Sequence, residues 1–215
     1  MKTLSLTIFL IATTIHLYAS TKSDKKLRNI TKPFIVTALL MYYCFATSDI
    51  KLIVVLALIF AWLGDLLLIL KGNKYFTIGG ISFMISHFFL VLSYSEEVIF
   101  ERIDPIVIIA LSLFFIGIVS YIFSHLKRYL PKVLFFSMFL YLLINGMMNC
   151  FAIFRMLSNI NIATITTCIG SILFFISDSS LFFIKFNKDS IQKTHFWVMF
   201  TYSIGVLLIV LGLID

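Results

Sequence analysis

The chain has 215 residues, of which 61% are hydrophobic, only 13% are charged and 24 are phenylalanine. With a mean hydropathy of +1.07 and apolar segments that recur from end to end, it is excluded from being a soluble globule with a single core and is predicted to be a polytopic membrane protein. The net charge of +7 comes mainly from Lys and Arg residues in the connections between spans, where such residues indicate how a protein is oriented in the membrane. We therefore expect no nucleic-acid partner.

Eight apolar windows reach or come close to the roughly 20 residues that a helix needs to cross the hydrocarbon layer. The connections between them are too short for a soluble domain. We therefore expect an all-α fold, a polytopic transmembrane helical bundle of about eight spans formed by a single domain over residues 1–215. The windows are residues 4–20, 31–47, 50–70, 75–94, 105–124, 131–153, 161–184 and 194–214.

The first window also resembles a cleavable signal peptide, because Lys2 precedes an apolar run that ends in LYAS. Two features favour its retention as the first helix. The position two residues before Ala19 does not hold a small residue, and the basic stretch KSDKKLR follows the window. Signal-peptide cleavage is the alternative.

Basic residues are distributed unevenly between the two sides that eight alternating spans define. Lys2, Lys51, Arg102 and Arg155 lie on one side, together with the acidic run at 96–104, and the other 13 lie in the first, third, fifth and seventh connections. The positive-inside rule then places both termini on the non-cytoplasmic side of a multi-pass protein, which we expect in the cell's inner membrane. The 13 are Lys22, Lys25, Lys26, Arg28, Lys32, Lys71, Lys74, Lys127, Arg128, Lys132, Lys185, Lys188 and Lys193.

Two aspartates are the only carboxylates deep inside apolar stretches: Asp65 in AWLGDLLLIL and Asp178 in LFFISDSSLFFI. Because an ionised carboxylate in hydrocarbon is costly, a membrane protein that carries two of them usually uses them. Asp65 lies six residues before Lys71 and Asp178 lies seven before Lys185, so both are roughly 10 Å from the same membrane boundary. The matched depth predicts one shared site. The alternative is that both tie helices together by hydrogen bonds.

Other polar side chains fall at or below this depth. Lys32 and Tyr202 reach the level of the aspartates, although Lys32 alone fits a lysine that extends to the membrane interface. His87 and Asn145 lie nearer the midplane, where we expect them to line the deeper part of one cavity. Hydrogen bonding between helices is the alternative for Asn145, Tyr141 and Tyr202, and a core position is the alternative for His87. Three histidines near span ends are assigned no role: His16, His125 and His195.

Several catalytic patterns are absent from the sequence, which contains no G-x-S-x-G, H-E-x-x-H, P-loop or C-x-x-C motif. The four histidines are scattered singly, so we expect no metal site and no cofactor. The three cysteines fall within predicted spans without metal-ligand spacing and are interpreted as packing residues: Cys44, Cys150 and Cys168.

Five short motifs occur in an order that resembles the YhhN family of integral membrane proteins, whose characterised animal members are lysoplasmalogenases. The likeness covers nearly the whole chain. It departs from many relatives at Leu90, where they carry tyrosine, and at Val206 and Leu207, where a polar residue is common. The motifs are Thr31-Lys32-Pro33, Gly64-Asp65, Gly79 through His87 with Phe83 in the F-x-x-x-H pattern, Gly170 through Ser177-Asp178, and Tyr202 through Gly205.

The resemblance implies hydrolysis of the vinyl-ether bond of a lysoplasmalogen to a fatty aldehyde and a glycerophospho head group. Such chemistry needs a protonated carboxyl group and a carboxylate, which makes Asp65 and Asp178 the expected catalytic pair, with acid and base unassigned. The expected partners are a lysophospholipid substrate that enters sideways and the lipid bilayer, and dimerisation is left open. The expected supporting residues are Lys32, His87, Tyr202, Asn145, Tyr141 and Ser177.

Two other classes of protein remain open at this stage. Buried Asp, Lys and His residues also build proton relays, so a proton-coupled transporter is the first alternative, although the sequence shows no inverted repeat and no pair of broken helices. The second is a non-catalytic receptor or scaffold in which the two aspartates only set helix packing.

Overall fold

The computed structural model describes residues 1–127, 129, 132–186 and 194–214, and its regular structure there is helical throughout, with eight α-helices and one 3-10 turn. The predicted all-α fold is confirmed. Of the residues used above to predict orientation, Arg128, Lys188 and Lys193 lie outside the described residues. The helices are α1 Lys2–Thr21, α2 Lys25–Ala46, α3 Leu52–Ile69, α4 Asn73–Ser95, α5 Pro105–Leu126, α6 Lys132–Ser158, α7 Ile162–Phe186 and α8 Thr194–Leu211, and the 3-10 turn is Phe100–Arg102.

Six of these helices, α1 and α3 through α7, are long and apolar enough to cross a membrane. The described part of α8, His195–Leu211, is apolar but shorter. Helix α2 is long enough, but charged and amide side chains in its first half lower its hydropathy. The eight predicted segments thus correspond to eight helices. Which end of the bundle faces the cytoplasm stays a prediction.

Local sequence explains where the helices begin. The Asp24 carboxylate caps α2 by accepting hydrogen bonds from the backbone N–H groups of Lys26 and Leu27, at 3.0 and 3.1 Å. Asp104 caps α5 in the same way, and Pro105 occupies the first turn, where its missing N–H costs nothing. These caps lie at opposite ends of the bundle and fix the residues at which α2 and α5 begin.

Close helix pairs position the two aspartates. Helices α3 and α4 pack along each other, and so do α7 and α8. Gly170 and Gly205 bring the second pair together, because a Cβ atom on Gly170 would lie 2.7 Å from the Gly205 carbonyl oxygen. Asp65 therefore stands on one tightly packed pair and Asp178 on the other.

We call the end of the bundle where α1, α3 and α7 end and α2, α4 and α8 begin the basic end, and the other the opposite end. Near the opposite end, Arg155 of α6 is only 5% exposed. Its Nε donates to Glu97 at 2.8 Å, Nη1 donates to Thr167 at 2.8 Å, and both terminal nitrogens lie 3.2 Å from the Gly212 carbonyl. This network ties α6 and α7 to the segments that directly follow α4 and α8.

Candidate active site

A cavity of about 360 Å³ lies at the basic end between α1, α2, α3, α4, α7 and α8. We call it the polar cavity. Its wall comes from the last turns of α1, α3 and α7 and the first turns of α2, α4 and α8, which explains why it is found near the basic connections. Five of the eight residues predicted for the site line it: Asp65, Asp178, Lys32, Tyr202 and Ser177.

Asp65 is held by three helices. Its side chain on α3 is almost completely buried, and its Oδ1 lies 3.1 Å from the Lys32 Nζ on α2. The Tyr202 hydroxyl on α8 donates to Oδ2 at 2.7 Å. Lys32 therefore points inward to a carboxylate instead of extending to the membrane interface. The ion pair offsets the cost of burying either charge alone.

Asp178 is held mainly by neutral donors. The Tyr141 hydroxyl and the Asn145 side-chain amide, both on α6, donate to the same oxygen, Oδ2, the latter at 2.8 Å. The His87 Nε2 lies 3.8 Å from that oxygen. Across the described ranges, neither a lysine nor an arginine comes within 4.0 Å of Asp178. The two aspartates thus differ in their partners, one cationic and one neutral.

The expectation that His87 and Asn145 line the cavity is wrong. Both are 0% exposed. The imidazole packs edge-on against Phe174 and Tyr141, with ring centroids at 4.9 and 5.4 Å, and Asn145 is turned toward Asp178. These residues, with Tyr141, form a layer behind Asp178 that orients its carboxyl group.

His87 is unusual within this layer. Neither of its ring nitrogens has a hydrogen-bond partner among the described residues, although both are buried. A buried polar atom without a partner costs on the order of 1–3 kcal/mol. The described residues therefore leave His87 at an energetic cost that its ring contacts alone do not offset.

A single aromatic ring joins the surroundings of the two aspartates. Phe174 contacts Tyr202, the donor to Asp65, at a centroid distance of 5.2 Å, and it contacts His87, beside Asp178, at 4.9 Å. Phe83 packs against both Phe174 and Tyr202 at 6.2 Å. The two carboxyl groups are therefore parts of one packed assembly at the floor of the polar cavity.

Sequence reasoning missed several residues in the cavity wall. Arg28 lies one helical turn before Lys32, Lys185 lies two turns after Asp178, and the spacing alone puts each pair on a common face. His195, two turns before Tyr202, follows the same rule. Spacings of four and seven residues from the predicted site residues were therefore the sequence signal that could have identified these three residues.

His16 and Ser20 of α1 also line the polar cavity, and His16 is only 2% exposed. Its Nδ1 lies 2.9 Å from the Thr31 hydroxyl oxygen. No spacing rule links α1 to the aspartates, because the contact depends on how α1 packs against α2. This histidine, given no role from sequence, is therefore a cavity residue.

No group of three or more His, Cys, Asp or Glu side chains that could hold a metal ion is found in the part of the chain that the structure describes. Within that part, the cavity instead offers carboxyl, ammonium, guanidinium, imidazole and hydroxyl groups. These groups can bind an anion and transfer protons.

The fold and the cavity define a membrane-type helical bundle with a polar cavity that contains two carboxyl groups. The chain belongs to the YhhN family, whose model matches residues 27–213. The match begins after α1, so His16 and Ser20 lie outside the matched residues. Neither a comparison with curated proteins nor one with solved structures finds a match to the chain.

Proposed function

We propose that the protein is a membrane-embedded hydrolase that cleaves the vinyl-ether bond of lysoplasmalogen-type lysophospholipids, releasing a fatty aldehyde and a glycerophospho head group. One observation carries the proposal: two buried carboxyl groups with different partners line the same polar cavity. Membership of the YhhN family supports the choice of substrate.

Hydrolysis of a vinyl ether proceeds in three balanced steps. A proton is transferred to the alkene carbon remote from oxygen, where a C–H bond forms while the π bond breaks to leave an oxocarbenium ion. Water adds to the cationic carbon and loses a proton, which gives a hemiacetal. The hemiacetal collapses to the aldehyde and the glycerol hydroxyl. The first step needs a general acid, and the second needs a negative charge that stabilises the cation and accepts a proton.

The partners of the two aspartates suggest which carries out each step. Asp178 accepts both neutral hydrogen bonds at Oδ2, which leaves Oδ1 to carry a proton toward the cavity. We therefore assign Asp178 as the acid. Asp65, paired with the Lys32 ammonium, is assigned as the carboxylate that stabilises the oxocarbenium ion and receives the proton from water.

The rest of the polar cavity fits a single-chain lipid. Phe83 and Leu181 supply apolar wall beside the carboxyl groups, where the alkenyl chain would lie. Ser177 donates a 2.9 Å hydrogen bond to the Val198 carbonyl, which links α7 to α8 next to Asp178.

Purified protein in nanodiscs, incubated with a lysoplasmalogen and in parallel with the saturated 1-O-alkyl analogue, tests the proposal. We expect aldehyde from the vinyl ether alone. Release from neither substrate by folded protein would contradict the proposal. Proton flux into liposomes without aldehyde would favour the transporter instead.

A further inference from the structure

We propose that the mouth of the polar cavity is a glycerophosphate site, in which Arg28 and Lys185 bind the phosphodiester of a lipid head group and His16 accepts a hydrogen bond from the neighbouring glycerol hydroxyl. This inference rests on the proposed function and names how the same cavity recognises its substrate.

The cations of the cavity divide into one that is neutralised and two that are not. Lys32 is occupied by Asp65 at 3.1 Å. Arg28 on α2 and Lys185 on α7 line the same cavity, and among described residues neither has a carboxylate within 4.0 Å.

Arg28 and Lys185, which have no close carboxylate partner among the described residues, are suited to bind a phosphodiester. Lys185 is exposed and its Nζ lies 5.2 Å from the centroid of Phe76, another residue of the cavity wall, which holds the ammonium over the mouth. Arg28 is half-buried on a different helix. A guanidinium and an ammonium that line one cavity from two helices match the chemistry of a phosphodiester anion.

The hydrogen bonds around Thr31 favour one tautomer of His16. The Thr31 hydroxyl has two carbonyl acceptors in its own helix, Leu27 at 2.9 Å and Arg28 at 3.2 Å. When its proton is donated to one of them, its oxygen accepts from His16, and we assign the imidazole proton to Nδ1 on that basis. Nε2 of the neutral ring remains an acceptor, and the ring lines the polar cavity.

The order of these groups along α2 matches the order of groups in the lipid. Lys32, paired with Asp65, marks the reacting end, Thr31 with His16 follows, and Arg28 lies one turn nearer the mouth. Arg28 and Lys32 are separated by about 6 Å along the helix axis at the usual rise per residue. A lysoplasmalogen carries its vinyl ether, free hydroxyl and phosphate on three successive glycerol carbons, in the same sequence.

The phosphate part is tested with Arg28→Gln and Lys185→Gln on two substrates, a lysoplasmalogen and a 1-alkenylglycerol that lacks the phosphate. The exposed neighbour Lys26, replaced by Gln, is the matched control. Each cavity variant should raise KM for the lysoplasmalogen by about tenfold or more, as expected for a lost charged hydrogen bond, and leave KM for the alkenylglycerol unchanged. Equal effects on both substrates, or none, would overturn the site.

A binding measurement distinguishes failure of this inference from failure of the proposed function. The saturated 1-O-alkyl lysophospholipid is not a vinyl ether, so its Kd for wild type and Arg28→Gln reports the phosphate site even when no aldehyde is ever formed. Weaker binding by Arg28→Gln supports the site, and equal binding contradicts it. Inorganic phosphate that competes as tightly as the lipid would overturn the head-group assignment in favour of a free anion.

The hydroxyl part is tested by comparing the lysoplasmalogen with its 2-deoxy analogue. We expect wild type to prefer the hydroxylated substrate by about tenfold or more in kcat/KM, and His16→Phe to reduce that ratio to near one. His16→Gln keeps a side-chain acceptor and should retain part of the preference, which guards against a variant that only misfolds. An unchanged ratio in both variants would overturn the role of His16.

Discussion

At the opposite end of the bundle each side-chain nitrogen of the buried Arg155 has a partner, whereas at the basic end two buried carboxyl groups border a cavity. Arg155 of α6 is bonded to Glu97, just after α4, to Thr167 of α7 and to the Gly212 carbonyl, just after α8. Asp65 and Asp178 are also hydrogen-bonded, but both line the polar cavity.

The difference separates two uses of buried charge in one chain. Charge whose every nitrogen has a partner within the protein stabilises a particular helix arrangement. Charge that borders a cavity, beside a histidine with no hydrogen-bond partner in the described structure, is available for a ligand. Each of the following changes acts on one end and should leave the other intact.

The largest effect is expected from the aspartates. Asp178→Asn removes the proposed acid and Asp65→Asn the proposed carboxylate, and each should lower kcat for aldehyde release by about 10²–10⁴-fold, the usual contribution of a positioned acid or base. Initial rates at saturating lysoplasmalogen measure this. Asp49→Asn, in an exposed loop, is the matched control and should keep wild-type activity. A rate close to wild type in either cavity variant would exclude that aspartate from the chemistry.

Loss of Arg155 should affect stability instead of chemistry. Arg155→Leu leaves the buried Gly212 carbonyl without two donors and the Thr167 hydroxyl without its donor, while the partly exposed Glu97 keeps Lys51 at 3.6 Å. The free energy of unfolding should therefore fall by about 1–3 kcal/mol, the usual cost of buried polar groups left without partners. Denaturant unfolding in detergent measures it. Arg102 is exposed, and its side chain donates to the Ser158 carbonyl at 3.1 Å. It provides the control Arg102→Leu, with a much smaller loss. An Arg155→Leu protein that is stable but inactive would contradict the structural role.

Loss of His87 should lower activity without lowering stability, the reverse of what we expect for Arg155. Its effect on kcat should be smaller than that of the aspartate variants. His87→Leu removes two buried nitrogens without hydrogen-bond partners, so stability should stay unchanged or rise. Loss of the imidazole 3.8 Å from Asp178 should lower kcat by about tenfold, equivalent to about 1.4 kcal/mol of transition-state stabilisation. Melting temperature and kcat on one preparation test both parts. A marked loss of stability with normal kcat would make His87 a packing residue.

Sequence was sufficient for the position of residues along each helix but not for their rotation about it. Charged connections and apolar lengths located the eight helices, and depth alone put Asp65, Asp178 and Lys32 at one level. His87 was correctly placed on α4 but expected in the cavity. A helix that is apolar on all sides gives no hydrophobic face from which to read its rotation.

The wall contributed by α1 shows the same limit. His16 reaches the cavity only because α1 packs along α2, a contact between helices that no periodicity within either one encodes. Lys32 is a related case, since an inward ion pair and a lysine extended to the membrane interface have the same sequence. In both cases the role depends on tertiary contacts between helices.

The central claim is that a carboxyl group of the polar cavity protonates the alkene carbon of a vinyl ether, and a reaction in D₂O tests it most directly. Protonation at carbon predicts a fatty aldehyde that carries one deuterium at C2, seen by mass spectrometry after immediate reduction to the alcohol. Asp178→Asn should lose this product and Asp49→Asn should keep it. Aldehyde without deuterium at C2, or deuterated aldehyde formed at the wild-type rate by Asp178→Asn, would contradict the account.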